Sequence, residues 1–346
     1  VQTILKREAK VTAARMVGLF WLFFLISWGL GYPILNRYDP RQTPGLTDVR
    51  MYATLTAGID ADDAGHVRFR VLVPLVARPF YLVAKGRSGS WDPVMFGLLV
   101  SDSLFVAGTA LLIVVLGTCD VDGYLASLVA ALLYLVNFAV PNLRLAGLVD
   151  AGEGFFLLAL LWSLSEQQFW ALPLISALGA LTKESFVPFS IVFTAAWWIV
   201  AGNKSNSAVR KTRWIMVSWV ASIAAFSWLH WHAGGPTNPI KFALSLHGNH
   251  EYLHHFGSSL WDRNFWYIFL WLLPLGIPRL PRFPKSWLIP IAMTSTTAFI
   301  LDGYYGGAPG TVGRALFSIV GPLLALSSAS LICSGVLQSW STPSRP

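Results

Sequence analysis

Two sets of residues in this 346-residue chain have the types and spacing to do chemistry. The first is HEYLH, His250 to His254, within LHGNHEYLHHFG. On a helix, H-E-x-x-H puts two imidazoles on one face with a carboxylate beside them, an arrangement that holds zinc and activates water. His247, His250 and His254, at i, i+3 and i+7, would share such a face. That trio suits a divalent metal or a lipid phosphate, and the commonest outcome for such a run is a solvated loop. The second set is dispersed: TDVRMY (Asp48, Arg50, Tyr52), VRFR (Arg68, Arg70), LVDAGEG (Asp150, Glu153) and LTKES (Lys183, Glu184). Acids, cations and a phenol that converge from separate segments can transfer a proton and stabilise an anion.

The elements that must position them are set by composition. With 55% hydrophobic and 12% charged residues, and a mean hydropathy of +0.57, the chain is built for lipid. Recurring apolar runs predict an all-α polytopic membrane protein of about ten transmembrane helices. The first run, ARMVGLFWLFFLISWGLGYPIL, is longer than a signal-peptide core and is expected to be a retained anchor. Further spans are expected near 93–116, 123–140, 152–165, 169–181, 186–201, 214–232, 264–278, 287–301 and 314–333. Cys119 and Cys333 lie far apart in sequence and form no disulfide framework. The whole chain, 1–346, reads as one transmembrane domain. Residues 1–201 form a core with an external loop at 36–92, and 202–346 form C-terminal helices with an external loop at 233–262.

Basic clusters before the first run, in NKSNSAVRKTR and in RLPRFPK mark the inner face. The count of crossings then puts Asp48, Tyr52, Arg68, Arg70, Asp150, Lys183 and Glu184 on the outer face together. An ionisable residue at membrane depth costs about 2.5–3.5 kcal/mol, so each needs a reason to be there. Snorkelling to water is the ordinary reason for one such residue; several on one side favour a site. Segment 70–84, with its charges and two prolines, fits an interfacial helix on the outer face. If it spans instead, 169–201 must be one broken helix. The 36–92 loop is also unusually basic for an outer loop, which suits a bound phosphate or ordinary anionic phospholipid.

The order D-V-R-M-Y, R-x-L-V-P-L, Asp150, T-K-E-S and, further on, GRALFSIVGPLLAL at Arg314 resembles the GT-C class of membrane glycosyltransferases. These include the aminoarabinose and protein O-mannosyl transferases. The resemblance implies transfer of a sugar, with inversion, from a polyprenyl-phosphate carrier to a lipid, glycan or protein acceptor on the outer face. It makes Asp48 the general base and Arg68, Arg70, Lys183 and Arg314 candidates for the departing phosphate. Asp150 would orient the acceptor or a cation, Tyr52 would line the sugar pocket, and Glu184 and His250 complete the expected substrate contacts. Asp48 would serve equally as a helix N-cap, a compatible role. The acidic doublet that several family members carry here is absent, since Thr47 and Val49 flank Asp48. No cofactor is assigned; a divalent metal on the His cluster is the one candidate, and metal dependence stays open. Membrane lipids are expected partners and nucleic acid is not. The expected location is a bacterial inner membrane, with the site facing the periplasm or exterior.

Two other classes stay open. LDG at Leu301 to Gly303 follows HEYLH, and that pair resembles site-2-type intramembrane proteases, in which the Asp is the third zinc ligand. Here, however, Gly248 and Asn249 place HEYLH in a polar loop. A lipid or solute transporter also uses intramembrane charge, but no internal repeat is visible.

Overall fold

A computed structural model describes residues 13–37, 47–59, 65–87, 89, 91–120, 123–201, 208–241, 252–305 and 311–341, and all regular structure among them is helical. In chain order the α-helices are α1 (Ala13–Arg37), α2 (Thr47–Ala57), α3 (Leu72–Ala84), α4 (Pro93–Asp120), α5 (Tyr124–Val136), α6 (Asp150–Ser165) and α7 (Leu172–Thr182). They continue as α8 (Phe186–Ala201), α9 (Ala208–His232), α10 (Tyr252–Leu260), α11 (Arg263–Phe269), α12 (Leu272–Gly276), α13 (Lys285–Tyr305) and α14 (Thr311–Ser341).

Four of them contain stretches long and apolar enough to cross a bilayer: Ala13–Leu35, Pro93–Thr118, Val209–His232 and Thr311–Ser334. Burial separates these into two kinds. In the most apolar windows of α4 and α14, 78% is buried, against 22% in α1 and 33% in α9, so α4 and α14 form the centre and the other two the rim. The rim helices turn Trp21, Leu22, Leu25, Val220, Trp228 and Trp231 outward, a surface that water penalises and lipid does not. Helices α5 to α8, at 13, 16, 11 and 16 residues, fall short of the roughly 20 residues a perpendicular crossing takes. Among the described residues, length and composition therefore give four candidate spans.

The two helices expected at 169–181 and 186–201 are present as α7 and α8, whereas the one expected at 264–278 is divided. The stretch 169–201 is a hairpin of two helices: Gly179 packs on Phe186 at one end, and the Phe169 and Trp197 rings lie 5.9 Å apart at the other. A single broken helix over this stretch is therefore ruled out. The stretch 264–278 does not run as one helix but as α11, α12 and a 3-10 turn, Ile277–Arg282. Pro274 has no N–H for the carbonyl of Leu270, and Pro278 and Pro281 repeat the interruption. The basic 36–92 segment does carry helices, α2 and α3, with a 3-10 turn at Gly65–Phe69 between them.

Helix α3 packs antiparallel to the start of α4. The Ser101 hydroxyl donates to the Val73 carbonyl, while Gly97, one turn earlier, sits under Ala77 and Tyr81. That contact holds Arg70, two residues before α3, at the depth of Asp102 in α4.

Candidate functional site

Four chain segments deliver the dispersed residues to one place. Asp48 stands in the first turn of α2, where its charge suits the helix dipole, and Tyr52 follows four residues on, on the same face. Arg70 enters from the 3-10 turn before α3. Its Nε donates to Glu184 Oε2 at 2.8 Å and its Nη1 to the Tyr52 hydroxyl at 2.9 Å. The same Nη1 lies 3.9 Å from Asp48 Oδ2. Burial pushes the Tyr52 phenol up, and Arg70 only partly offsets this, so the phenol stays protonated. Burial also opposes the Arg70 charge, but Glu184 and Tyr52 outweigh it and the guanidinium stays ionised.

The second cluster hangs on an unusual turn. After α5, residues Val140–Arg144 form a π turn, closed by the Leu145 N–H on the Val140 carbonyl at 3.0 Å. This widened turn carries the Arg144 side chain into the core, where it is fully buried. Its Nη1 donates to the Asp150 carbonyl. Its Nη2 donates to Ser318 Oγ at 2.6 Å and reaches the Arg314 carbonyl at 3.4 Å, and the guanidinium lies 5.4 Å from the Phe317 ring centre. Gly154 leaves the space the guanidinium occupies; a Cβ there would press on Nη1. Gly147, at φ 78°, completes the turn in a conformation that suits glycine and donates its N–H to Asp102 Oδ2 at 3.0 Å.

Asp150 then opens α6 with its carboxylate between cations. Lys183 Nζ lies 2.9 Å from Oδ1 and Arg314 Nη1 3.8 Å from Oδ2. Lys183 also reaches Glu153 Oε2 at 3.3 Å, and the Ser185 hydroxyl donates to the other Glu153 oxygen. The Asp150 carboxylate is thus flanked by both cations, with Arg144 on its backbone carbonyl. Burial disfavours the Lys183 ammonium, and Asp150 and Glu153 more than restore it. Lys183 and Glu184 are neighbours at the tip of the α7–α8 hairpin, one facing each cluster. The tip thus joins the two into one constellation.

Compared with models of known protein families and with curated proteins, the chain matches none. What it does must be read from the constellation itself.

Of the residues singled out in the sequence, Asp48, Tyr52, Arg70, Asp150, Lys183, Glu184 and Arg314 come together. Arg68 stands aside: its guanidinium lies 4.9 Å from the Phe69 ring centre, and it makes no ion pair among the described residues. Phe69 in turn stacks on His230 of α9, with ring centres 3.7 Å apart. His247 and His250 lie outside the described residues; His254 is exposed on α10. Among the described residues, no group of three His, Cys, Asp or Glu is placed to hold a metal ion. Sequence reasoning passes over Arg144 and Asp102. The signal for both was a lone ionisable residue inside an apolar run, VPNLRLAGLV and LLVSDSLFV.

Proposed function

We propose that this chain is a membrane glycosyltransferase of the GT-C kind, moving a sugar from a polyprenyl-phosphate carrier to an acceptor hydroxyl. The observation that carries this reading is the gradient of exposure across the carboxylates. The Asp48 side chain is 38% exposed, whereas Glu184 is 10%, Asp150 5% and Glu153 0% exposed. One carboxylate therefore meets solvent beside a fixed guanidinium, and the others hold the cations in place.

In this reading Asp48 accepts the proton of the acceptor hydroxyl as its oxygen attacks the anomeric carbon. The bond from that carbon to the carrier phosphate breaks, and the phosphate takes the electron pair. A phosphate leaves without being protonated, so a single base suffices. Arg70, Lys183 and Arg314 stabilise the negative charge that accumulates on it. Attack opposite the leaving group inverts the anomeric centre. Asp150 holds Lys183 and Arg314 apart at a set distance, and Tyr52, neutral and hydrogen-bonded, lines the sugar side.

The membrane arrangement that goes with this is multi-pass. Ten passes follow if α1, each of α4 to α9, the broken α11–α12 segment, α13 and α14 are each a crossing, with α2 and α3 in the outer segment. The end bearing Lys211, Arg282 and Lys285 then faces inward and the constellation faces the exterior of a bacterial inner membrane.

The test is transfer from a labelled polyprenyl-phosphate sugar in membranes containing the protein. Asp48→Asn is expected to lower turnover by about 10²–10⁴-fold, the usual contribution of a general base, with folding intact. Undiminished turnover in that variant would remove Asp48 from the role of base.

A further inference from the structure

A cavity of about 240 Å³ lies at the end of the bundle away from Asp48, between the end of α6, the end of α8, the start of α9 and the start of α13. Ser165, Gln167, Trp197, Lys211, Ser286 and Trp287 line it, and no carboxylate does among the described residues. We propose that this cavity binds a phosphate group, with Lys211 as its cation and the side chains of Gln167 and Ser286 as hydrogen-bond donors.

Two observations carry the proposal. Lys211 makes no ion pair among the described residues; its ammonium lies 6.0 Å from the Phe169 ring centre, so its charge is available to a ligand. Gln167 has φ 56°, the one non-glycine residue with positive φ among those described. It follows the last residues of α6, where the Gln168 N–H closes on the Ser163 carbonyl at 2.8 Å. Glycine takes that position in a helix end without strain. A glutamine there keeps an amide at the cavity at the cost of backbone strain, the pattern expected of a functional position.

The surroundings fit the same ligand. Arg210 and Arg213 flank Lys211 in sequence, and Lys285 precedes Ser286, so the field at this end is positive. Ammonium, hydroxyl and amide groups together match the oxygens of a phosphate. Trp197 and Trp287 add apolar faces of the kind that sit at headgroup level in a bilayer, and basic pockets between helices on the inner side hold anionic lipid headgroups. The phosphate comes either from such a headgroup or from solution.

The experiment is native mass spectrometry and thermal unfolding of the full chain in detergent, titrated with phosphatidylglycerol, with diacylglycerol, which lacks the phosphate, and, after lipid stripping, with inorganic phosphate. We expect phosphatidylglycerol to be retained about tenfold more tightly than diacylglycerol, as one charge-assisted contact would give. Lys211→Gln should erase that preference. Gln167→Gly should weaken retention while leaving the unfolding temperature of the stripped protein unchanged or higher, which separates lost binding from lost folding. Stabilisation by phosphatidylglycerol alone assigns the site to a headgroup; equal stabilisation by inorganic phosphate assigns it to a soluble phosphate. Equal retention of both lipids with no response to phosphate, or full retention in both variants, would overturn the proposal. Neither result bears on transfer at Asp48, so the two readings fail separately.

Discussion

At the Asp48 end, Arg70, Lys183 and Arg314 each lie within 4 Å of a carboxylate oxygen, whereas Lys211 at the opposite end faces hydroxyls, an amide and indoles. The difference separates two uses of charge in an apolar bundle. Buried ions that are paired and hydrogen-bonded hold each other in place and resist being moved, because parting them leaves a charge without solvent. A cation without a carboxylate keeps its capacity for an anion from outside. The first arrangement suits a reaction, where groups must already be in position; the second suits retention of a ligand.

The contrast can be broken most forcefully at Arg144. Arg144→Ala leaves the Asp150 carbonyl and Ser318 without their donor and opens a void beside Gly154. A loss of about 3–5 kcal/mol is expected, read as a lower unfolding temperature in detergent and a poorer yield of monodisperse protein. Lys183→Met should cost less than that, because Asp150 retains Arg314 and Glu153 retains Ser185. Combining it with Asp150→Asn should cost less than the two single changes summed, with a coupling of about 1–3 kcal/mol from a double-mutant cycle; additive losses would mean that the pair contributes nothing as a pair. Tyr52→Phe removes one hydrogen bond from Arg70 and leaves the one to Glu184, so about 0.5–1.5 kcal/mol is expected. Smallest is Gln167→Gly, which should stabilise the stripped protein by up to about 1 kcal/mol by relieving the left-handed backbone. A destabilised Gln167→Gly protein would show that the glutamine serves the fold.

Much of the constellation was legible because its residues interrupt apolar sequence at places where the chain turns. Asp48, Arg70, Asp150, Lys183 and Glu184 all sit at or beside helix ends, and short loops on one side of a bundle converge. Arg144 and Asp102 were not found this way, since neither lies in a polar loop. Arg144 is brought inward by a π turn that hydropathy does not register, and Asp102 lies nine residues into α4. Pairing was equally invisible: nothing in T-K-E-S says that Lys183 turns to Asp150 while Glu184 turns to Arg70. The helical class followed from composition, but the number of crossings did not, because prolines at 274 and 278 interrupt one expected span and α5 to α8 are short.

The Arg144 contacts also impose an order on how the chain can be assembled. One side of the guanidinium is satisfied within six residues, by the Asp150 carbonyl, but the other waits for Ser318, 174 positions later. A chain made from its N-terminus therefore carries a half-satisfied guanidinium until α14 is present. Arrival of α14 supplies the missing hydroxyl and carbonyl.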